Sequence, residues 1–378
     1  MRSACKSNVI SRTLLTGVSV ALPSQSISQD NAAILAAKLT PLARGEKLIR
    51  VVYRRSGVEQ RYSVLLDSTT CDGQPLQTFY QPMTEDDRHG PTTAQRMNAY
   101  GQHAAPLSFQ AAAAALRVAA IAPHQVTHLV TVSCTGFQAP GVDLQLFGML
   151  KLSADVQRTH VGFMGCHGAL NGLRIARAIA ASEPDACVLL CAVELCSLHH
   201  QFTDDAEQIV ANSLFGDGAA ACIVRNVAGG DSLEGRECQW RGQASHVVEE
   251  TADLMSWNIA DHGFCMTLSP KVPETIRLHL LPWLEQFLAR YKLSIELVPH
   301  WAIHPGGPRI LTAVAEALSL SENQMLPSRD VLRNYGNMSS PTVMFILQQL
   351  LAQSAKGPCM LLAFGPGLSI EAALLELA

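Results

Sequence analysis

Charge is scarce in this chain and gathers nowhere. Asp, Glu, Lys and Arg make up only 16% of its 378 residues, and the net charge is −4 with no block of Lys or Arg. Neither nucleic acid nor an anionic membrane surface is therefore an expected partner. No stretch approaches the ~18–20 uninterrupted apolar residues that a membrane span needs. No two of the eleven cysteines stand in a C-x-x-C pair, even in Cys187-Val-Leu-Leu-Cys191-Ala-Val-Glu-Leu-Cys196. That absence argues against a zinc site, and no metal is expected. The cysteine count is odd and several lie inside apolar runs, so they read as free, buried thiols in a reducing cytosol rather than as disulfides. Arg2, Lys6 and Arg12 around the run Leu14–Pro23 faintly resemble a secretory leader. Thr16, Gly17 and Ser19 break that run, and a first core strand explains it better.

What the chain does have is apolar mass. With 48% hydrophobic residues it can fill one large core or two fused ones, since single cores stop growing near ~250–300 residues. Buried-strand patterns fall at Leu14–Val20, His128–Ser133, Ala186–Val193, Ala219–Val224, His300–Ile303, Cys359–Phe364 and Ser369–Leu375. Helical patterns fall at Ser108–Ala120, Gly168–Ala181, Glu274–Tyr291, Arg309–Leu318 and Pro341–Ser354. This alternation predicts an α/β architecture. The stretch His128–Val193 is loosely echoed by His300–Phe364, which suggests two similar halves. Val-Ala-Gly-Gly-Asp-Ser within Asn226–Glu237 interrupts the pattern, placing the halves at 1–228 and 229–378.

Three junctions carry chemistry. In Gly162-Phe-Met-Gly-Cys166-His-Gly-Ala-Leu-Asn-Gly172, one thiol sits just before a helix, where free N–H groups and the helix dipole favour a thiolate. A buried structural cysteine at a tight turn fits this segment equally well. In Trp301-Ala-Ile-His304-Pro-Gly-Gly-Pro308, an apolar strand delivers an imidazole into a stiff loop, as a base or ion-pair partner requires. The bland alternative is a strand-ending histidine. In Tyr335-Gly-Asn337-Met-Ser-Ser340-Pro341, Ser340 and Pro341 suffice to start the next helix, so Asn337 is free to donate to an oxyanion. Alone it would read as a turn residue. Together the three form a nucleophile, a partner and an oxyanion donor. Papain-like hydrolases use a similar trio, although they usually carry disulfides and an aromatic residue directly after the cysteine.

Five ordered motifs then resemble one family across nearly the whole chain. Gly165-Cys166-His-Gly, Leu214-Phe215-Gly-Asp-Gly-Ala-Ala-Ala221, His304-Pro-Gly-Gly-Pro308, Tyr335-Gly-Asn337-Met-Ser-Ser340 and Phe364-Gly-Pro-Gly-Leu368 are similar to those of type III polyketide synthases of the chalcone synthase kind. Cys134-Thr135-Gly136, Pro140-Gly141, Glu194 and the tail Ser369–Leu375 fit as well. The resemblance implies a thiolase fold, two αβαβα halves sharing a five-layered core, in a homodimer. It implies that Cys166 carries the acyl group, that His304 and Asn337 drive decarboxylation, and that Phe215 is an aromatic gatekeeper. Lys47, Arg50 and Arg55 would meet the nucleotide end of coenzyme A, and Gly307 and Pro308 would border its pantetheine arm. The substrates would be an acyl-CoA starter and malonyl-CoA, with no further cofactor. A thiolate–imidazolium pair between Cys166 and His304 is the expected resting state.

Departures from the plant pattern gather in the substrate cavity. Cys134, Cys196 and His199 stand where plant enzymes mostly have threonines, Trp257 replaces a glycine, and Met266 replaces a second gate phenylalanine. Thr135 lies beside Cys134, and Ala139 replaces a methionine that borders the partner subunit's cavity. The Cys134 and Cys196 pair, Trp257 and the run Asp261-His-Gly-Phe264 look bacterial, and Trp257 would either shorten the cavity or redirect it into a tunnel for an aliphatic starter. Expected products are alkylpyrones, alkylresorcinols or related rings. The alternative is a single condensation of the ketoacyl synthase III type, with a carrier protein as partner.

Overall fold

The computed structural model describes residues 11–41, 45–69, 75–228 and 237–378. Cys5, Cys71, the leader-like basic residues Arg2 and Lys6, and the stretch directly after residue 228 lie outside them. Strand β1 (Ser11–Ala21) is followed by β2 (Ser26–Ser28), helices α1 (Gln29–Leu39) and α2 (Gly45–Arg55), and β3 (Gln60–Tyr62). The two-residue pair β4 (Ser68–Thr69) and β5 (Pro75–Leu76) precedes the long helix α3 (Thr93–Val118). Then come β6 (His128–Ser133), α4 (Val142–Leu150), β7 (Gln157–Gly162), α5 (Gly168–Ser182), β8 (Cys187–Leu195), α6 (Ala206–Leu214) and β9 (Asp217–Ala228). The second part runs β10 (Cys238–Val247), the hairpin β11 (Met255–Ala260) and β12 (Gly263–Leu268), α7 (Val272–Ala289) and β13 (His300–Ile303). It ends with α8 (Pro308–Leu318), α9 (Glu322–Tyr335), α10 (Thr342–Ala352), β14 (Gly357–Gly365) and β15 (Ser369–Leu377).

The main sheet is mixed, in the order β13-β14-β15-β10-β1-β9-β8-β6-β7. Parallel pairs at β6–β7, β6–β8 and β13–β14 are the crossovers that the strand–helix alternation predicts. Side-chain alternation along β8 builds the layers. Val188, Leu190 and Ala192 enter the core shared with α5 and α10, whereas Leu189, Cys191 and Val193 pack on the side of α3 and α4. Strand β14 repeats this, with Cys359, Leu361 and Ala363 facing the shared core and Met360, Leu362 and Phe364 facing α7 and α8. The result is helix, sheet, helix, sheet, helix, with α5 and α10 in the middle. This is the five-layered thiolase arrangement.

The middle layer matters for function because both of its helices begin where chemistry was expected. Cys166 lies in a 3-10 turn between β7 and α5, and Asn337 lies between α9 and α10. His304 directly follows β13. Among the described residues no helix is long and apolar enough to cross a membrane.

Candidate active site

The turn that presents Cys166 is forced by sterics. Gly165 has φ +76°, and a Cβ there would collide with Pro366. Only glycine is comfortable in that backbone region and space. Cys166 is 7% exposed at the wall of a chamber lined by Cys134, Thr135, Cys196, Phe215, Met266 and Ser339, among others.

Asn337 is fixed from three sides. Its N–H donates to the Leu214 carbonyl at 2.8 Å, its carbonyl accepts from Gly216 at 3.0 Å, and it forms a β-bridge with Phe215. The side-chain Oδ1 accepts the Ser339 N–H at 2.7 Å. Because only the oxygen can take that bond, the NH2 group faces the other way. Burial pushes the Cys166 thiol up to about 11, while the nearby side chains of Ser339 and Asn337 pull it back. The expected oxyanion donor therefore lies beside the expected nucleophile.

His304 is 1% exposed, and neither ring nitrogen has a hydrogen-bond partner. Its backbone N–H is held by the Leu362 carbonyl at 2.8 Å. Burial, with the His167 ring as a second cause, pushes the imidazole down to about 3. The thiolate–imidazolium pair expected from sequence draws no support from these shifts, since burial disfavours the charged form of both groups.

A buried carboxyl, Glu194, organises the opposite wall. It accepts from the Cys134 N–H at 2.8 Å, the Thr135 hydroxyl at 2.8 Å and the Ser340 hydroxyl at 2.6 Å. Burial pushes Glu194 up to about 7, and its charge in turn raises the thiols of Cys134, Cys166 and Cys196. In the sequence Glu194 had only matched a pattern. Its role as the tie between β6, β8 and the start of α10 comes from distant partners that no local signal announces.

A second space adjoins this chamber. A second pocket of about 850 Å³, its open mouth included, is lined by Ala32, Leu35, Ala36 and Leu39 of α1 together with Tyr80 and Ala211. Cys196, Phe215, Trp257 and Met266 line both spaces and form their common wall. Trp257 Nε1 donates to the Cys134 carbonyl at 2.7 Å, so its indole is anchored there. His199 also lines the outer pocket, but its polarity is spent. Nε2 donates to the Thr135 carbonyl at 2.7 Å, Nδ1 accepts from Phe264 N–H at 3.0 Å, and the ring stacks on Phe264.

The remaining predicted residues line neither space. Lys47, Arg50 and Arg55 are exposed on α2, and Arg50 is paired with Glu46 at 2.9 Å. Gly307 and Pro308 open α8, and Pro308 packs near Gly57, two residues past Arg55. Sequence reasoning missed Arg54. It is exposed and, four residues from Arg50 and seven from Lys47, shares their face of the helix.

Comparison with known proteins agrees over the whole length. The model for the N-terminal domain of chalcone and stilbene synthases matches residues 3–228, and the model for the C-terminal domain matches residues 240–377. The chain belongs to this family, the type III polyketide synthases. It is 30% identical to the alpha-pyrone synthesis polyketide synthase-like Pks18 of Mycobacterium tuberculosis, covering 96% of this chain and 91% of that one. It is 35% identical to the 1,3,6,8-tetrahydroxynaphthalene synthase of Streptomyces peucetius, over 71% of this chain and 72% of that one. The structure of PKS-I from the brown alga Ectocarpus siliculosus superposes with a TM-score of 0.90 at 29% identity, covering 97% of this chain and 99% of that one. The synthase is accordingly an acyltransferase of the Claisen-condensing kind, and neither the single-condensation ketoacyl synthase nor the hydrolase is favoured.

Proposed function

We propose that this synthase loads an aliphatic acyl group from coenzyme A onto Cys166 and extends it with malonyl-CoA to an alkylpyrone, alkylresorcinol or related ring. The observation that carries the reading is the Asn337 amide near the Cys166 sulfur, in a chamber that shares the wall Cys196, Phe215, Trp257 and Met266 with a larger, mainly apolar pocket. In the loading step Sγ bonds to the thioester carbonyl, the C–S bond to coenzyme A breaks, and the thiol proton passes through His304 to the departing thiolate. Malonyl-CoA then loses carbon dioxide. Asn337 Nδ2 and His304 donate to the enolate oxygen, while Phe215 keeps water and counter-charge away from the carboxylate. The enolate carbon attacks the Cys166 thioester and frees the thiolate, lengthening the chain by two carbons. The step balances without oxidant or reductant.

The volume and mainly apolar lining of the outer pocket, rather than a shortened cavity, are what support an aliphatic starter, in line with the alpha-pyrone relative. The exposed stripe Lys47, Arg50 and Arg54, with Arg55 beside it, suits coenzyme A phosphates, and Gly307–Pro308 suits the arm between them and the chamber. A homodimer is supported by the edge strand β7, where residues 157–160 are exposed, and by the neighbouring exposed rings of Phe137 and Phe163, 6.0 Å apart. The nine free thiols of the described residues suit a reducing cytosol. We further propose the division into halves 1–228 and 229–378.

The test is mass spectrometry of products from malonyl-CoA offered with short, aromatic and long-chain acyl-CoA starters. Long-chain triketide or tetraketide rings are expected. Exclusive use of aromatic starters, or arrest after one extension, would overturn the proposal.

A further inference from the structure

His167 directly follows the nucleophile, yet the chemistry above gives it no part. Its ring is buried, and Nδ1 lies 2.6 Å from Asn171 Oδ1, one turn along α5. Asn171 Nδ2 donates to Glu371 Oε1 at 2.9 Å, and both residues are buried. Glu371, on β15, also accepts the Ser245 hydroxyl of β10 at 2.8 Å and pairs with Arg174 of α5 at 3.2 Å. The carboxylate must face the amide NH2, so Asn171 turns its oxygen to His167. That fixes one tautomer, with the proton on Nδ1 and a bare Nε2.

The other side of the ring packs on the end of β14. A Cβ at Gly365 would collide with the imidazole, and a Cβ at Gly165 would collide with Pro366. The residues on both sides of Cys166 are therefore pressed against one turn, Gly365–Pro366. The same strand holds the His304 backbone through Leu362, and His167 is the ionisable group whose charge bears on the His304 ring. A second proton at His167 would oppose the proton that His304 must take from the thiol.

We propose that His167 is a positioning residue for acylation: the Glu371–Asn171–His167 chain clamps the Cys166 turn against Gly365–Pro366 and holds the imidazole in its single neutral tautomer. This rests on Cys166 being the nucleophile. Removing the bond while keeping a ring should misplace the sulfur without touching the coenzyme A rim, so turnover falls and KM does not.

The experiment follows acyl-enzyme formation from decanoyl-CoA by quenched-flow intact-mass measurement. His167→Phe should slow acylation at least about tenfold, with KM within about twofold, because small misplacement of a reacting atom is costly. His167→Asn, whose amide nitrogen replaces Nδ1–H, should stay within about threefold of wild type. Wild-type acylation by His167→Phe, or equal slowing in both variants, would overturn the inference. Should His167→Phe not fold, Asn171→Ala breaks the same chain with the ring in place. Slowing there supports the clamp, and an unchanged rate defeats it. A Cys166→Ala control separates the two readings. Acylation of that variant would sink the nucleophile assignment, whereas strict dependence on Cys166 with an unimpaired His167→Phe would sink only the clamp.

Discussion

The two spaces on either side of Trp257 are built by opposite rules. The inner chamber is backed by groups whose polar atoms are tied down, from the Asn337 Oδ1 to the Glu194 carboxyl with its four donors. The outer pocket is walled on one side by Ala32, Leu35, Ala36 and Leu39 of the alanine-rich helix α1, with polar side chains such as Gln77, Gln208 and Asn212 elsewhere, and is more than twice as large, about 850 against 370 Å³. Preorganised donors suit a reaction that is the same for every substrate. A plain apolar wall suits the part of the substrate that varies. The difference teaches that chemistry and chain length are separable in this enzyme, and substitutions should fall into two classes.

The largest effect belongs to the inner chamber. Cys166→Ala should abolish product from every starter, and Asn337→Ala should lower malonyl-CoA decarboxylation about 10²-fold, the usual loss for one oxyanion donor. Carbon dioxide release and product mass spectra check both. An Asn337→Ala enzyme that loses long-chain products alone would erase the distinction between the spaces.

Next is the pH dependence of Cys166. Its thiol is pushed up to about 11 and His304 down to about 3, so burial disfavours the charged form of both across the working range. Alkylation by iodoacetamide should therefore rise about tenfold per pH unit from pH 6 to 9, following the thiolate fraction. A plateau beginning below pH 7 would instead reveal a preformed thiolate–imidazolium pair. Glu194 sharpens the same test, since its charge raises the thiol. Glu194→Gln should shift the rise toward lower pH.

A smaller effect is expected from the outer wall. Leu35 lines the pocket but is only partly buried, so α1 can accept a larger residue there. Leu35→Trp should displace about two methylenes of a long chain, at about 0.8 kcal/mol each, and lower kcat/KM for long starters about tenfold. Short starters should change less than about twofold on this bookkeeping. Equal losses for both would show that the pocket does not hold the chain.

What could be read from the sequence divides along the same line. Strands such as His128–Ser133 and His300–Ile303 match the structure because buried parallel strands are unbroken apolar runs. The trio Cys166, His304 and Asn337 stood out because Gly, Pro and a helix cap punctuate each junction. Strand β7 was missed since its residues are mostly exposed and polar, and α9 was missed partly because Pro327 interrupts its pattern. Helix α1 was missed for a related reason, being alanine-rich and only weakly patterned. The outer pocket exists only once α1 and the Trp257 hairpin meet, and nothing local in either segment announces that meeting. The Glu194 network is likewise a product of long-range contact.

The smallest expected effect lies at the rim, outside both spaces. Among the described residues Lys47, Arg54 and Arg55 have no acidic partner, whereas Arg50 already spends part of its charge on Glu46. All are exposed on α2, where each phosphate contact is screened by solvent and is worth roughly 0.2–1 kcal/mol. Arg54→Ala and Arg55→Ala should each raise KM for acyl-CoA about two- to fivefold with kcat unchanged, and Arg50→Ala should do less. Because every thioester enters with the same nucleotide, the increase should be equal for short and long starters and should shrink at high salt. Steady-state kinetics with hexanoyl- and decanoyl-CoA at two ionic strengths decide the matter. A rise confined to one chain length would place these arginines against the acyl group rather than the phosphates, and would join the rim to the outer pocket.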